Sequence, residues 1–359
     1  MIFCAAADPG GSRALLPVVE ELARRGRELR VLDHGFLGRE LPPELKGRLC
    51  PPPEAEAALG AAGCFLFGSS AADGLPLSLA RKAKALGRPT VHVLDNWSGY
   101  ASRLDTDGRG LFIPDIYAVM DREAWQGAVS GGLPESCLEV TGHPSLAALG
   151  GYVRRRQKIP PLAARRDLGL PDDKLLLAFA NEPLRLVLGP DLTAAGHYGF
   201  TEDQVLPLWA EALLPWADRI EALILPHPKD DPAELAELWR KSGRGLPGRV
   251  LRLPEGRAIL PIADALAGMA SILLYDAWIC GWPVLSLQPG VRAEAIRRFS
   301  RLPGLHYAGS EQAVGAAVQA WLAETGLGRA LQPRPELESH LAAASTIAGL
   351  VEKLLEQRK

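Results

Sequence analysis

A single acid interrupts an otherwise apolar stretch, SILLYDAWICGWPVLS, which spans residues 271–286. Burying a lone carboxylate in such a segment is costly unless a partner satisfies it, so Asp276 is a candidate for a functional role. Ser271 is a favourable helix N-cap, and Gly281, followed closely by a proline, predicts where the helix ends. The pattern therefore predicts a short helix that carries Asp276.

The start of this helix is a predicted anion site. Its free backbone N–H groups and the helix dipole favour negative charge, such as that of a diphosphate. The candidate residues are Ala270, Ser271, Ile272 and Leu273. Asp276 lies a little over one turn further on, at a distance suited to the ribose hydroxyls of the same nucleotide. The alternative is a structural carboxylate that reaches solvent or bonds a neighbouring strand.

The loop DPGGS, residues 8–12, follows a first apolar run and leads into a helix. Gly10 and Gly11 allow a ligand to approach the backbone closely, and the helix start again favours an anion or a sugar hydroxyl. Asp8 is a candidate general base for an acceptor hydroxyl. An ordinary glycine turn is the alternative, and the dinucleotide-binding fingerprint G-x-G-x-x-G is absent.

Two further loops, residues 67–74 and 94–105, also follow apolar runs. An aromatic face can stack on a sugar ring, while hydroxyls, amides and carboxylates take its hydroxyl groups. The substrate-binding candidates are Ser69, Ser70, Asn96 and Trp97. Asp95 is a second candidate for the general base. The alternative is plain turn chemistry, because loops need the same residue types.

A His-Pro pair follows an apolar run in each half of the chain, at His143 and at His227. A lone histidine is more often structural than catalytic. With Lys229 close by, His227 could donate to a phosphate, whereas His143 could bind substrate or simply shape a hinge.

Short apolar runs alternate with longer amphipathic segments along the whole chain, which is typical of βαβ units and parallel sheets. A basic, proline-containing segment after residue 150 predicts a crossing between two domains. We therefore expect a first domain over 1–152, a second over 153–334, and a C-terminal helix within 335–359 that returns to the first. Ligands of open parallel sheets bind beyond the carboxyl ends of the strands, so a cleft there is the expected site.

Composition narrows the classes of function. The 359 residues include 40 basic and 42 acidic side chains, so nothing indicates nucleic-acid binding by charge. Five scattered cysteines show neither a disulfide framework nor metal-ligand spacing, and we expect no metal. No signal peptide and no run of 18 apolar residues is visible, which predicts a soluble, cytoplasmic protein.

The order of these signals resembles the GT-B fold, which many nucleotide-sugar glycosyltransferases share with the non-hydrolysing UDP-N-acetylglucosamine 2-epimerases. The likeness is carried by DPGGS…LLPVVEEL, VTGHP, RRDLGLPDDKLLLAFA, LPHPKDDP and ADALAGMASILLYDAWICGWPVLSLQP. The segment AKALGRPTVHVLDNWSGYASRL, taken with the last of these, looks like bacterial surface-polysaccharide glycosyltransferase-type proteins. The resemblance implies an α/β protein of two Rossmann-like, doubly wound parallel-sheet domains that face a cleft, with the C-terminal helix packed back on the first.

The resemblance also implies roles for particular residues. Asp276 stands where such proteins bind the ribose, usually with Glu, and the backbone at 271–273 would hold the diphosphate. The nucleobase of the donor would be contacted by residues at about 184–188. Retaining transferases often carry a second acid eight residues earlier, where this chain has Gly268. Epimerases show Arg-Pro-Glu in the first loop and Asp-Ser-Gly-Gly before the helix, and this chain has neither.

The leading hypothesis is an inverting, metal-independent glycosyltransferase that needs no cofactor beyond its nucleotide-sugar donor. Asp8 or Asp95 would deprotonate a glycan, lipid-linked or protein acceptor, and His227 with the helix dipole would stabilise the departing phosphate. The alternatives are a nucleotide-sugar epimerase or hydrolase on the same fold, and a non-catalytic binding protein derived from it. Peripheral membrane association and a homodimer are left open.

Overall fold

The computed structural model describes residues 1–68, 70, 73–158 and 165–357. The chain divides into two compact units. The first comprises Met1–Ala148 together with Glu338–Lys359, and the second comprises Leu149–Leu337. Each unit has its own parallel sheet and its own hydrophobic core, which confirms the predicted pair of α/β domains.

The first unit is built on a seven-stranded sheet in the order β3-β2-β1-β4-β5-β6-β7. Every strand pair described in it is parallel. The strands are β1 Ile2–Ala5, β2 Leu29–Leu32, β3 Leu49–Cys50, β4 Cys64–Gly68, β5 Thr90–Val93, β6 Ile116–Val119 and β7 Leu138–Val140. The α-helices before the second unit are α1 Pro9–Arg24, α2 Gly35–Glu40, α3 Ala55–Ala61, α4 Leu75–Ala85 and α5 Arg122–Ser130.

The second unit is built on a six-stranded sheet in the order β10-β9-β8-β11-β12-β13. The strands are β8 Leu175–Ala180, β9 Ile220–Leu225, β10 Gly248–Val250, β11 Ala265–Gly268, β12 Val284–Leu287 and β13 His306–Ala308. The α-helices described are α6 Leu149–Lys158, α7 Leu184–Leu188, α8 Glu202–Leu213, α9 Pro232–Ser242, α10 Ile272–Ile279 and α11 Glu311–Glu324. Both sheets therefore have the strand order of a doubly wound fold, with the chain reversing beside the first strand of each unit.

Local sequence explains the main elements. Strand β1 is buried along its whole length, as expected of a parallel strand covered by helices on both faces. Helix α1 begins with Pro9, whose missing N–H is no loss at that position, and Gly26 follows its end with a φ of +72°. The central strands β8 and β9 are buried almost completely in the same way.

The last helix, α12, spans Leu337–Glu356 and packs on the core of the first unit, as predicted. Its residues Ile347, Ala348 and Val351 are fully buried in the cluster formed by β1, α1 and β4. Glu352 accepts a hydrogen bond at 2.7 Å from Arg25, the residue directly after α1.

In the part of the chain described here, no helix is long and apolar enough to cross a membrane. All five cysteines are buried, and among the described residues none forms a disulfide bond.

Candidate functional site

Two adjacent polar residues, Asn181 and Glu182, follow the buried strand β8 and connect the loops on either side of it. Asn181 Nδ2 donates to Asp230 Oδ2 at 3.0 Å in the loop after β9. Glu182 Oε2 accepts from the backbone N–H of Ala270 at 2.7 Å in the loop after β11. Because β9 and β11 are the two neighbours of β8, this pair fixes three loops at the carboxyl edge of the second sheet.

Glu182 places a carboxyl group at the start of helix α10. Burial raises its pKa to about 7, and the charge of Glu202 adds to this increase. The backbone hydrogen bonds from Ala270 and Ser271 act in the opposite direction and lower the pKa. A carboxyl group with such a pKa is divided between its neutral and charged forms near neutral pH. Glu182 was not among the residues predicted to form the site. The signal was the polar pair directly after the run LLLAFA, at the position where ligand-binding residues of such sheets lie.

The helix start proposed for a diphosphate is therefore already hydrogen-bonded. Ser271 is the N-cap of α10, and its Oγ accepts from the N–H of Leu273 at 3.3 Å. The N–H of Ala270 donates to Glu182, as described above. Of the four predicted residues, Ile272 is the most exposed, with half of its surface accessible. A ligand phosphate would have to replace the Glu182 carboxylate to reach the amides of Ala270 and Ser271.

Asp276 is a member of a buried ion pair. It is 1% exposed, and its Oδ2 accepts from Arg257 Nε at 2.6 Å. Burial raises the pKa of Asp276, and the charge and hydrogen bond of Arg257 oppose that change. Its second oxygen, Oδ1, is buried and has no hydrogen-bond partner among the described residues. Arg257 thus provides the positive charge and the hydrogen bond that a lone acid buried in an apolar helix requires. No sequence pattern links it to Asp276.

His227 is held in one tautomer. Its backbone N–H donates to Asp230 Oδ2 at 2.7 Å, and its Nδ1 accepts from the N–H of Lys229 at 3.1 Å. Burial lowers the pKa of His227, and Lys229 adds to this effect while Asp230 opposes it. The ring is therefore neutral at pH 7 with its proton on Nε2. In the described part of the chain Nε2 has no hydrogen-bond partner, so it can donate to a ligand oxygen.

In the first unit, the DPGGS loop is held by the loop after β4. Ser70 Oγ accepts from the N–H groups of Ala7 and Asp8 at 3.3 and 3.4 Å. Ser70 is itself buried, so it shapes the loop. Its predicted neighbour Ser69 lies outside the described residues.

The two glycines of this loop allow close packing within the protein. A Cβ atom at Gly10 would lie 2.0 Å from Asp95 Oδ2, so the carboxylate of Asp95 rests against the start of α1. Asp95 Oδ1 accepts from Arg103 Nη1 at 2.5 Å. The carbonyl oxygen of Gly11 packs against Gly68 of β4. The structure thus brings together the first loop and Asp95, which the sequence analysis proposed separately.

Trp97 and His143 make contacts within the first unit. Trp97 is 7% exposed, its Nε1 donates to Asp121 Oδ2 at 2.6 Å, and its ring centroid lies 5.7 Å from that of His143. His143 Nε2 lies 3.0 Å from the backbone oxygen of Asp95, and the ring is buried. Both rings are therefore buried and neither has a face open to a sugar ring. Asn96, the residue directly before Trp97, is exposed.

A histidine–carboxylate pair that was not predicted from the sequence lies at the carboxyl edge of the first sheet, where the loops after its strands meet. His34 Nε2 and Asp73 Oδ2 are 2.6 Å apart, and both side chains are 33% exposed. Asp73 Oδ1 accepts from the N–H of Leu75 at 2.9 Å, which fixes the carboxylate. The two residues are 39 positions apart, so only the strand order brings them together.

Comparisons with known proteins find likeness in structure only. No protein-family model matches the chain, and no curated protein matches it in sequence. The UDP-GlcNAc 2-epimerase of Methanocaldococcus jannaschii superposes with a TM-score of 0.67 at 12% identity, over 98% of this chain and 99% of that one. A glycosyltransferase of Rickettsia africae gives 0.62 at 13% identity, over 99% and 97%.

Anabaena HepE, solved in complex with UDP-glucose, gives a TM-score of 0.55 at 14% identity, over 99% of this chain and 98% of that one. Such low identities establish a shared architecture and no more. The match extends over nearly the full length of each chain, and both sheets are doubly wound, as predicted. The protein therefore has the two-domain GT-B fold found in these epimerases and glycosyltransferases.

Proposed function

We propose that this chain is an enzyme that transfers a sugar from a nucleotide-activated donor to a hydroxyl acceptor, with inversion and without a metal. The observation that carries the proposal is His227, a neutral imidazole fixed at the carboxyl edge of the second sheet with Nε2–H available to a ligand. A fixed N–H donor at this edge suits a phosphate oxygen whose negative charge grows as the sugar departs.

In this proposal the second unit binds the donor. The N–H groups at the start of α10 take the diphosphate once Glu182 has moved aside, and Lys229, which is exposed, adds a positive charge near His227. Arg257 holds Asp276, so a ribose contact from Asp276 requires the ion pair to open. The first unit binds the acceptor, with Asp8 or Asp95 as candidate bases.

A second candidate, epimerisation of a nucleotide sugar, is favoured by a different observation. Epimerisation at a carbon next to a carbonyl or anomeric centre needs a group that exchanges protons near neutral pH. Glu182, whose pKa burial raises to about 7, meets that requirement. The TM-score of 0.67 with an epimerase also keeps this candidate open.

Thermal-shift measurements with UDP, UDP-glucose and UDP-GlcNAc test the donor site directly. A ligand present at about 100 times its Kd should stabilise the native state by about 2.7 kcal/mol and raise its melting temperature. His227→Asn should weaken binding by roughly tenfold or more, because a hydrogen bond to a charged group is lost. His306→Asn is the matched control, since His306 begins strand β13 and so lies at the opposite edge of the same sheet.

Product analysis separates the two reactions. Transfer releases UDP and depends on an acceptor, whereas epimerisation interconverts two UDP-sugars and releases none. If no nucleotide or nucleotide sugar shifts the melting temperature, both enzymatic candidates fail and a non-catalytic binding protein is the remaining alternative.

A further inference from the structure

His34 and Asp73 meet beside the first loop because of the strand order of the first sheet. His34 follows β2 and Asp73 follows β4, and these two strands are the neighbours of β1. The loop after β1 therefore lies between them. Its residue Ala7 accepts a hydrogen bond from the N–H of Phe36 at 2.9 Å.

The turn that carries His34 is fixed by close packing. Gly35 has a φ of +61°, and a Cβ atom there would lie 2.5 Å from the Cα atom of Ala7. Only glycine fits this position, so the backbone next to His34 is pressed directly against the residue before Asp8. The imidazole is thereby held at the carboxyl edge of the sheet.

The carboxylate side of the pair is equally well fixed. Burial raises the pKa of Asp73, but hydrogen bonds from His34 and from the N–H of Leu75 outweigh it and leave the pKa below its usual value. Asp73 is therefore ionised at neutral pH and accepts from His34 Nε2. In the tautomer that this hydrogen bond selects, the lone pair of the ring is on Nδ1. Among the described residues, His34 Nδ1 has no hydrogen-bond partner.

We propose that His34 is the general base for the acceptor hydroxyl and that Asp73 is its positioning residue. The inference rests on the proposed sugar transfer and replaces Asp8 and Asp95 in that role. Asp95 is bonded to Arg103 and lies against Gly10, whereas the His34 ring is one-third exposed and presents a lone pair.

The step balances without any further reactant. His34 Nδ1 takes the proton of the acceptor hydroxyl as that oxygen forms a bond to the anomeric carbon. The bond from the anomeric carbon to the phosphate oxygen breaks, and its electron pair leaves with the nucleotide. Asp73 stabilises the imidazolium that results.

Turnover of UDP-glucose and UDP-GlcNAc, with octyl β-glucoside as the hydroxyl probe, tests the proposal through the rate of UDP release. His34→Ala should lower kcat by about 10²–10⁴-fold while the melting-temperature shift caused by UDP is unchanged. Added imidazole should restore part of the rate to this variant, a rescue that a structural role would not give. His34→Gln, which keeps a polar side chain of similar length, should be as slow.

Two carboxylate variants complete the test. Asp73→Asn should slow release by about tenfold or more, because the amide no longer selects the tautomer or stabilises the imidazolium. Asp107→Asn is the matched control: Asp107 also bonds a cationic side chain from another segment of this unit, Arg81 at 2.9 Å, and its loss should change the rate less than twofold.

The pH profile gives an independent readout. The unmutated chain should lose kcat/KM at low pH, where the base carries a proton and cannot accept another, and His34→Ala should lack that limb. Asp73, from the β4 side, bonds the His34 ring, and Asp33 is the charged residue directly before His34 in the chain.

Equal rates of UDP release from His34→Ala and the unmutated chain would show that His34 is not the general base. That result would not contradict the proposed sugar transfer. Failure of the unmutated chain to release UDP from either donor would overturn the proposed transfer, and the role of His34 with it.

Discussion

Replacing Glu182 by glutamine removes a buried charge at the start of α10 and keeps a side chain of the same shape. The glutamine oxygen can still accept from the N–H of Ala270, which Glu182 contacts at 2.7 Å. The substitution therefore isolates the cost of ionising a carboxyl group in this environment.

The magnitude follows from the shift in pKa, from 4.5 to about 7 on folding. Since the folded state holds this proton more tightly than the unfolded chain, it binds more protons between those two values, and stability falls as the pH rises through that window. At about 1.4 kcal/mol for each pKa unit, the loss approaches about 3 kcal/mol above pH 7. Glu182→Gln does not undergo this loss.

Thermal unfolding of both proteins, followed from about pH 5 to about pH 8.5, measures the effect. For a unit of this size about 3 kcal/mol corresponds to roughly 6–12 °C in melting temperature. The advantage of Glu182→Gln should grow with pH and level off above about pH 7. Other titrating groups are common to both proteins and cancel in the difference.

Glu237→Gln serves as the control. Hydrogen bonds from Arg240 and Lys241 lower the pKa of Glu237 to about 2, so it stays ionised over the whole range and its substitution should give a difference that does not vary with pH. If the difference in melting temperature between Glu182→Gln and the unmutated protein does not vary with pH, the pKa of Glu182 is not raised on folding.

Two further pairs of substitutions test packing and charge, both by urea unfolding. Gly10→Ala should destabilise the chain by about 1–3 kcal/mol because its Cβ would meet Asp95 Oδ2 at 2.0 Å, whereas Gly151→Ala, in helix α6 with open space around it, should stabilise by up to about 1 kcal/mol. Effects of the same sign would contradict this. Arg257→Ala should cost about 3–5 kcal/mol because it leaves the carboxylate of Asp276, 1% exposed, without its cation. Asp276→Asn should lower the free energy of unfolding by less, since Arg257 is 23% exposed and can reach water. A larger loss for Asp276→Asn than for Arg257→Ala would contradict this difference in burial between the two partners.

The sheets could be predicted because apolar runs of four to six residues flanked by turn residues are a strong local signal. Strands β3 and β13, with two and three residues, were missed since such runs show no pattern. Helix α11 was missed although its buried residues, Val314, Val318, Trp321 and Leu322, have helical spacing.

The site was harder to predict, because its contacts depend on strand order. Glu182 and Ala270 are 88 positions apart, and nothing in either segment indicates the other. The loops after β8, β9 and β11 meet only because β8 lies between the other two strands. Sequence could show that polar residues follow strands, as at Asp8, His227 and Ser271. It could not show which of them are already bonded to one another.

Both helix starts that the sequence marks as anion sites are covered by carboxylates of the chain itself. Asp95 lies against Gly10 at α1, and Glu182 accepts from Ala270 at α10. A phosphate that binds at α10 therefore gains only the difference between its own hydrogen bonds and those it displaces. Glu182, with a pKa of about 7, can leave as the neutral acid at little cost, whereas Asp95 is fixed by Arg103. On these grounds α10 is the helix start at which an incoming phosphate can compete.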